Sequence, residues 1–250
     1  MRILLASPIH RDAIETLERS HDLICGFDSK DDLRTLVADR EVLVFRSGVS
    51  ISKEVIEAGQ ELELLVRAGS GIDNIDVDCV RNRGIPLVRV RGPSPQAVAE
   101  FTFALMLDAA RRVSEADRSV RQGHWPKREL GGRLTAGKTL GIVGVGRIGT
   151  RVGELGSAWG MHSIGCVKHY SSERADRFSA QGITLTDIDS VVASADFLTI
   201  HVPLNDETHH LIDAAALSRM KPGAFLITTA RGGIVDEDAL YDELTQAGRL

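Results

Sequence analysis

Short apolar runs alternate with longer amphipathic stretches along almost the whole chain, and this alternation limits the possible folds more than any other feature. Parallel strands joined by crossover helices satisfy both halves of the pattern. Strands are predicted at 2–6, 42–45, 64–67 and 86–90, with helices at 10–19 and 53–58 between them. A long helix is predicted from 96 to about 121, because the preceding Gly92-Pro93-Ser94-Pro95 favours a helix start and opposes upstream extension. This punctuation divides the chain into one domain over 1–95 and a second over 96–250. After a basic, glycine-containing connector at 123–137, the second series has strands at 138–143, 161–167, 183–185, 196–202 and 223–229. Its helices are predicted at 147–159, 187–194, 213–220 and 236–247. The expected fold class is therefore α/β, with two doubly wound parallel sheets, and 250 residues suffice for two modest domains.

The most informative local motif lies where the strand Leu140-Gly141-Ile142-Val143 runs into Gly144-Val145-Gly146-Arg147-Ile148-Gly149 and then a helical pattern. Glycine at 144 permits a tight turn, at 146 lets a pyrophosphate approach the backbone, and at 149 allows helix to pack closely on strand. The unpaired N–H groups and positive dipole end of the following helix then face the anion, and Arg147 is placed to cover it. In this strand, turn and helix context the motif reads as a dinucleotide site. An unphosphorylated adenosine ribose usually meets an Asp or Glu at the end of the next strand. Here that strand ends Cys166-Val167-Lys168-His169-Tyr170, with Arg174 close behind, so the acid is absent and bases stand near its place. The reading leans towards NADP over NAD, because a 2′-phosphate suits such charges.

Composition narrows the remaining classes. With 30 basic and 35 acidic residues the net charge is −5, which offers no field for a polyanion, so a small molecule is expected rather than nucleic acid. Cys25, Cys79 and Cys166 are too few and too scattered for a disulfide framework or a short-spaced zinc site, and no metal is expected. His209-His210 lacks an acidic or sulfur cluster beside it. The N-terminal apolar run is too short for a signal peptide, and no stretch reaches membrane-spanning length; a cytoplasmic location is expected.

Several further motifs resemble the D-isomer-specific 2-hydroxyacid dehydrogenases, particularly their D-3-phosphoglycerate dehydrogenase-like branch. They are Arg67-Ala68-Gly69-Ser70-Gly71-Ile72-Asp73-Asn74-Ile75-Asp76, Val98-Ala99-Glu100, Gly123-His124-Trp125, His201-Val202-Pro203-Leu204 with Glu207-Thr208, and Thr229-Ala230-Arg231-Gly232-Gly233 with Val235-Asp236-Glu237. The resemblance implies a flavodoxin-like substrate domain and a Rossmann-like nicotinamide domain with the reaction in a cleft between them. The glycine turn, the basic strand end and the resemblance together give expected cofactor contacts from Gly144, Gly146, Arg147, Ile148, Gly149, Lys168, His169, His201, Val202, Pro203, Thr208, Thr229, Ala230 and Arg231. A homodimer through the region of Trp125 is implied as well.

Arg231 is the expected catalytic residue: it follows a strand, and a guanidinium there can hold a carboxylate by two prongs and polarise the neighbouring carbonyl. The loop Gly69-Ser70-Gly71 is read as a nest of backbone N–H groups for the substrate carboxylate. Arg46 and Arg67, similar to residues that hold a distal phosphate, point to a small 2-hydroxy or 2-oxo acid with a phosphate or second acidic group. Arg89, Arg91 and Ser94 depart from that branch's usual residues. The family's glutamate and histidine would lie past 236–247, beyond Leu250, so the second domain reads as truncated. The alternative expectation is a non-catalytic, corepressor-like NAD(P) sensor, if the chain ends naturally before that pair.

Overall fold

The structure, a computed structural model, describes residues 1–69, 71–90 and 95–248. Ser70, Arg91 and Ser94, all singled out above, lie outside the described residues. Two compact units are present, Met1–Pro93 and Ser94–Leu250.

The first unit is built on β1 (Arg2–Leu5), β2 (Asp22–Cys25), β3 (Val42–Phe45), β4 (Leu64–Arg67) and β5 (Leu87–Arg89). Every pairing is parallel, in the order β2-β1-β3-β4-β5. Leu4, Leu43, Phe45 and Leu65 are fully enclosed and pack with Ile51 and with Ile56 of the helix Lys53–Ala58. Each such side chain contributes about 1.5–3 kcal/mol on burial. The edge strand β2 escapes a periodicity reading because none of its four residues is fully buried. The short helices Leu33–Val37 and Val77–Asn82 also escape it. Their starts are marked instead by Asp32 and Asp76, whose carboxylates accept backbone N–H bonds from Arg34 (3.0 Å) and Cys79 (2.8 Å).

The second unit contains β6 (Thr139–Val143), β7 (His162–Cys166), β8 (Ile183–Leu185), β9 (Phe197–Ile200) and β10 (Phe225–Thr228), again all parallel, in the order β10-β9-β6-β7-β8. Both faces of the sheet are covered, which is why β6 and β9 read as continuous apolar runs. Helices Pro95–Arg111, Arg147–Ala158 and Ser172–Ser179 pack Phe103, Met106, Val152 and Phe178 against one face. Helices Ile188–Ser194 and Ala214–Arg219 pack Val191, Val192, Ala216 and Leu217 against the other.

The single helix expected over 96–121 is two helices, Pro95–Arg111 and Val113–Arg121. Arg112 between them is left-handed (φ 53°), and the Asp108 carboxylate draws the chain round by accepting the Ser114 N–H at 2.6 Å and its hydroxyl at 2.8 Å. The helix expected over 236–247 is α-helical over Glu237–Asp242 and then widens to a π-helical turn, Glu243–Ala247.

Strand order reverses between β1 and β3 in the first sheet and between β6 and β9 in the second. Open parallel sheets bind ligands beyond the carboxyl ends of the strands at such points.

Candidate functional site

The turn that leaves β6 is shaped by two glycines for reasons internal to the protein. Gly144 has φ +96°, and a Cβ there would meet Val202 Cγ1 at 2.7 Å and the His201 carbonyl oxygen at 2.9 Å. A Cβ on Gly149 would lie 2.2 Å from the Gly144 carbonyl oxygen, so the first turn of the helix Arg147–Ala158 can seat there only without one. The Gly144 and Val145 N–H groups donate to the Cys166 carbonyl at 3.2 and 3.0 Å, tying the turn to β7.

Gly146 differs. Its φ of −94° and ψ of −155° are open to any residue, and a Cβ built on it meets nothing within 4 Å. The protein itself makes no demand for glycine there, and no side chain caps the helix that follows. Its first-turn N–H groups therefore face a clear approach, the fit expected for a pyrophosphate. The Arg147 side chain is exposed beside it.

Next to this turn, a cavity of about 710 Å³ runs between the ends of β6, β7 and β9. Of the residues expected at the cofactor, Gly144, Lys168, Val202 and Thr208 line it. Sequence reasoning missed Cys166, Leu185, Thr186, Asp187, Ile188 and Glu207 as part of its wall. Asp187 could have been found as the capping acid of the helix Ile188–Ser194: it accepts the Ser190 N–H at 2.8 Å and the Ser190 hydroxyl at 2.7 Å, which hold its carboxyl below the usual range. Burial pushes the Cys166 thiol up, so it is an inert apolar wall residue.

Two members of the basic cluster after β7 have partners within the protein. Lys168 donates to the Glu207 carboxylate, whose pKa it lowers, and Arg174 Nη1 donates to the His169 carbonyl at 2.7 Å. Of the three, only Lys168 lines the cavity. Thr208 works first as a staple for its own loop, donating to the Pro203 carbonyl at 2.6 Å and accepting the Asn205 N–H at 2.9 Å. His201 follows β9, and burial lowers its pKa to about 4, so its imidazole is neutral at pH 7.

Arg231, Thr229 and Ala230 lie beyond β10 in a second cavity of about 580 Å³, with Glu237, Tyr241 and Leu244. The 230–235 loop is buttressed from the 203–212 segment: the His210 N–H donates to the Gly233 carbonyl (2.8 Å) and the Ile212 N–H to the Ile234 carbonyl (3.1 Å).

In the first unit, Arg46 is exposed past β3, where the strand order reverses, and its N–H donates to the Ser7 hydroxyl at 3.0 Å. Arg67 behaves differently: it is 2% exposed, packs over the Phe45 ring, and donates to the Gly71 and Ala68 carbonyls at 3.0 and 3.4 Å. It buttresses the glycine loop from beneath. The Gly69 N–H donates to the Arg67 carbonyl at 2.8 Å and so is already spent, which removes one donor from the expected nest.

Comparison with known proteins identifies the family and the fold. Residues 103–249 match the sequence profile of the D-isomer specific 2-hydroxyacid dehydrogenase, NAD binding domain. The D-3-phosphoglycerate dehydrogenase of Methanocaldococcus jannaschii is 39% identical over 98% of this chain and 47% of its own; the chain thus spans about half the length of that relative. Among solved structures, D-lactate dehydrogenase from Aquifex aeolicus, complexed with NAD and lactic acid, superposes with a TM-score of 0.84 at 28% identity, covering 99% of this chain and 74% of that one. An acyclic imino acid reductase in complex with NADPH and D-arginine gives 0.81 at 28% identity, covering 98% and 80%.

Proposed function

The chain belongs to the D-isomer specific 2-hydroxyacid dehydrogenases, and from that premise we propose that it is an oxidoreductase acting on C2 of a small D-2-hydroxy or 2-oxo acid with a nicotinamide dinucleotide. The observation that carries the reading is Gly146: a glycine the protein's own packing does not require, facing clear space at a helix N-terminus.

A bound nicotinamide supplies the hydride chemistry. This chain's residues supply the rest. The first-turn N–H groups after Gly146 hold the diphosphate, with Arg147 beside them, and the apolar cavity wall around Leu185 and Ile188 receives the adenosine. Neutral His201, bonded to Thr199, packs under Gly144 and shapes the turn. Arg231 holds the substrate carboxylate and steadies charge developing on the carbonyl oxygen. Exposed Arg46 and Arg89, at the carboxyl ends of β3 and β5, support a phosphate or second acidic group on the substrate, as in 3-phosphoglycerate.

The test is titration of the full-length protein with NADH and NADPH, followed by turnover with a panel of 2-oxo acids. Coenzyme binding with consumption of the reduced form is expected. A folded protein that binds neither coenzyme overturns the reading, whereas binding without turnover supports the non-catalytic sensor.

Self-association belongs to the same reading. Trp125 is 79% exposed, Leu134 71% and Phe101 57%, large apolar side chains that a second copy would cover. Among the described residues no helix is long and apolar enough to cross a membrane.

A further inference from the structure

Three charged side chains line the 710 Å³ cavity among the described residues: Lys168, Asp187 and Glu207. One cation against two carboxylates leaves a net charge of −1. Glu207 comes from the loop after β9, crosses to the end of β7, and is held there by Lys168, 39 residues away in sequence. The end of β7 is where a Rossmann sheet meets the adenosine ribose. Val167 and Lys168 occupy that place, so the end of β7 brings no side-chain carboxylate to the ribose hydroxyls.

We propose that Glu207 stands in for the missing acid and selects NAD(H) over NADP(H), its carboxylate accepting from the ribose hydroxyls and repelling a 2′-phosphate. The proposal rests on the dehydrogenase reading and deepens it at one residue. Lys168 is the positioning partner. Its ammonium pairs with the carboxylate where both line the cavity, and the pairing engages the one cation that the described residues bring to the lining. The other basic groups nearby do not compensate: the Arg174 guanidinium is turned to the His169 carbonyl, and His169 does not line the cavity. Asp187, kept ionised by the Ser190 bonds, adds a second negative charge to the wall. A dianionic 2′-phosphate would enter this lining against both carboxylates. The neutral diol of NAD enters as a donor that one of them can accept.

Lys168 and Glu207 are both well exposed (64% and 63%), so replacing either leaves the core untouched. The test measures dissociation constants for NADH and NADPH on the full-length protein at fixed low ionic strength. Wild type is expected to bind NADH about tenfold more tightly, since at low ionic strength a charge a few ångströms from a phosphate is worth roughly that factor. Glu207→Gln should shift the ratio towards NADPH by about tenfold, and Lys168→Ala should shift it the opposite way. A merely structural pair would weaken both coenzymes alike in both variants. Wild-type preference for NADPH, or an unchanged ratio in Glu207→Gln, overturns the selectivity while the dehydrogenase reading stands. Failure of folded wild type to bind either coenzyme overturns both.

Discussion

The imidazole Nε2 of His201 lies 2.9 Å from the hydroxyl oxygen of Thr199, two residues earlier on the same strand end. Thr199 is wholly buried, and burial holds the His201 pKa near 4 instead of 6.5. The unfolded chain takes up a proton near 6.5 while the folded one refuses it until about 4, so this contribution to stability is complete above 6.5 and lost as the pH falls through that window. The loss amounts to about 3 kcal/mol across the window. Thermal melts between those limits should show Tm falling with pH, and His201→Gln should flatten that part of the curve. Equal slopes in the two proteins would contradict the assignment.

Gly146 and Gly149 should separate binding from folding. Gly146→Val places its Cβ in clear space and gives up glycine's N-cap preference, about 1 kcal/mol, so Tm should fall by no more than a few degrees while coenzyme affinity falls at least tenfold. Gly149→Ala drives a Cβ against the Gly144 carbonyl and should cost about 1–3 kcal/mol by urea unfolding. A larger loss of stability in the valine variant, or full binding with it in place, would remove the argument for an anion at this turn.

Arg67 should register in stability as well as in substrate handling. Arg67→Met strips the Gly71 and Ala68 carbonyls of a charged donor beneath the glycine loop, at a cost of about 2–4 kcal/mol. A chemical-denaturation midpoint equal to that of wild type would show the buttress to be idle.

Arg231→Ala should lower kcat/KM by about 10²–10³-fold, the scale for losing one charged stabiliser of a developing oxyanion. Arg231→Lys should recover only part of it, because an ammonium cannot grip a carboxylate by two parallel bonds. Full activity in the lysine variant would deny the two-pronged contact.

Sedimentation velocity should find a dimer, and Phe101→Asp with Trp125→Ser should yield a folded monomer, since both side chains are exposed and contribute little to the protein's own core. A wild-type monomer at micromolar concentration ends this part of the reading.

Much of the architecture was legible in the linear chain because it follows from local pattern. Strands such as Val42–Phe45 and Leu64–Arg67 are apolar runs bounded by polar residues, and the turn after Val143 announces itself by glycine spacing within a strand and helix context. Elements that depend on little burial were not legible: the edge strand Asp22–Cys25 has no fully buried residue, and the break at Arg112 comes from a carboxylate at Asp108 reaching Ser114.

Chemistry types followed from residue identity; charge states and partners did not. Lys168, His169 and Arg174 read as a free basic cluster until folding brings Glu207 to Lys168 and turns Arg174 onto a backbone carbonyl. Likewise Arg67 is one of several strand-end arginines in sequence, and only packing over Phe45 makes it a buried support. Periodicity and turn chemistry act between near neighbours and are written in the order of residues. Electrostatic pairing and burial act through space between distant segments, so they exist only once the chain has closed.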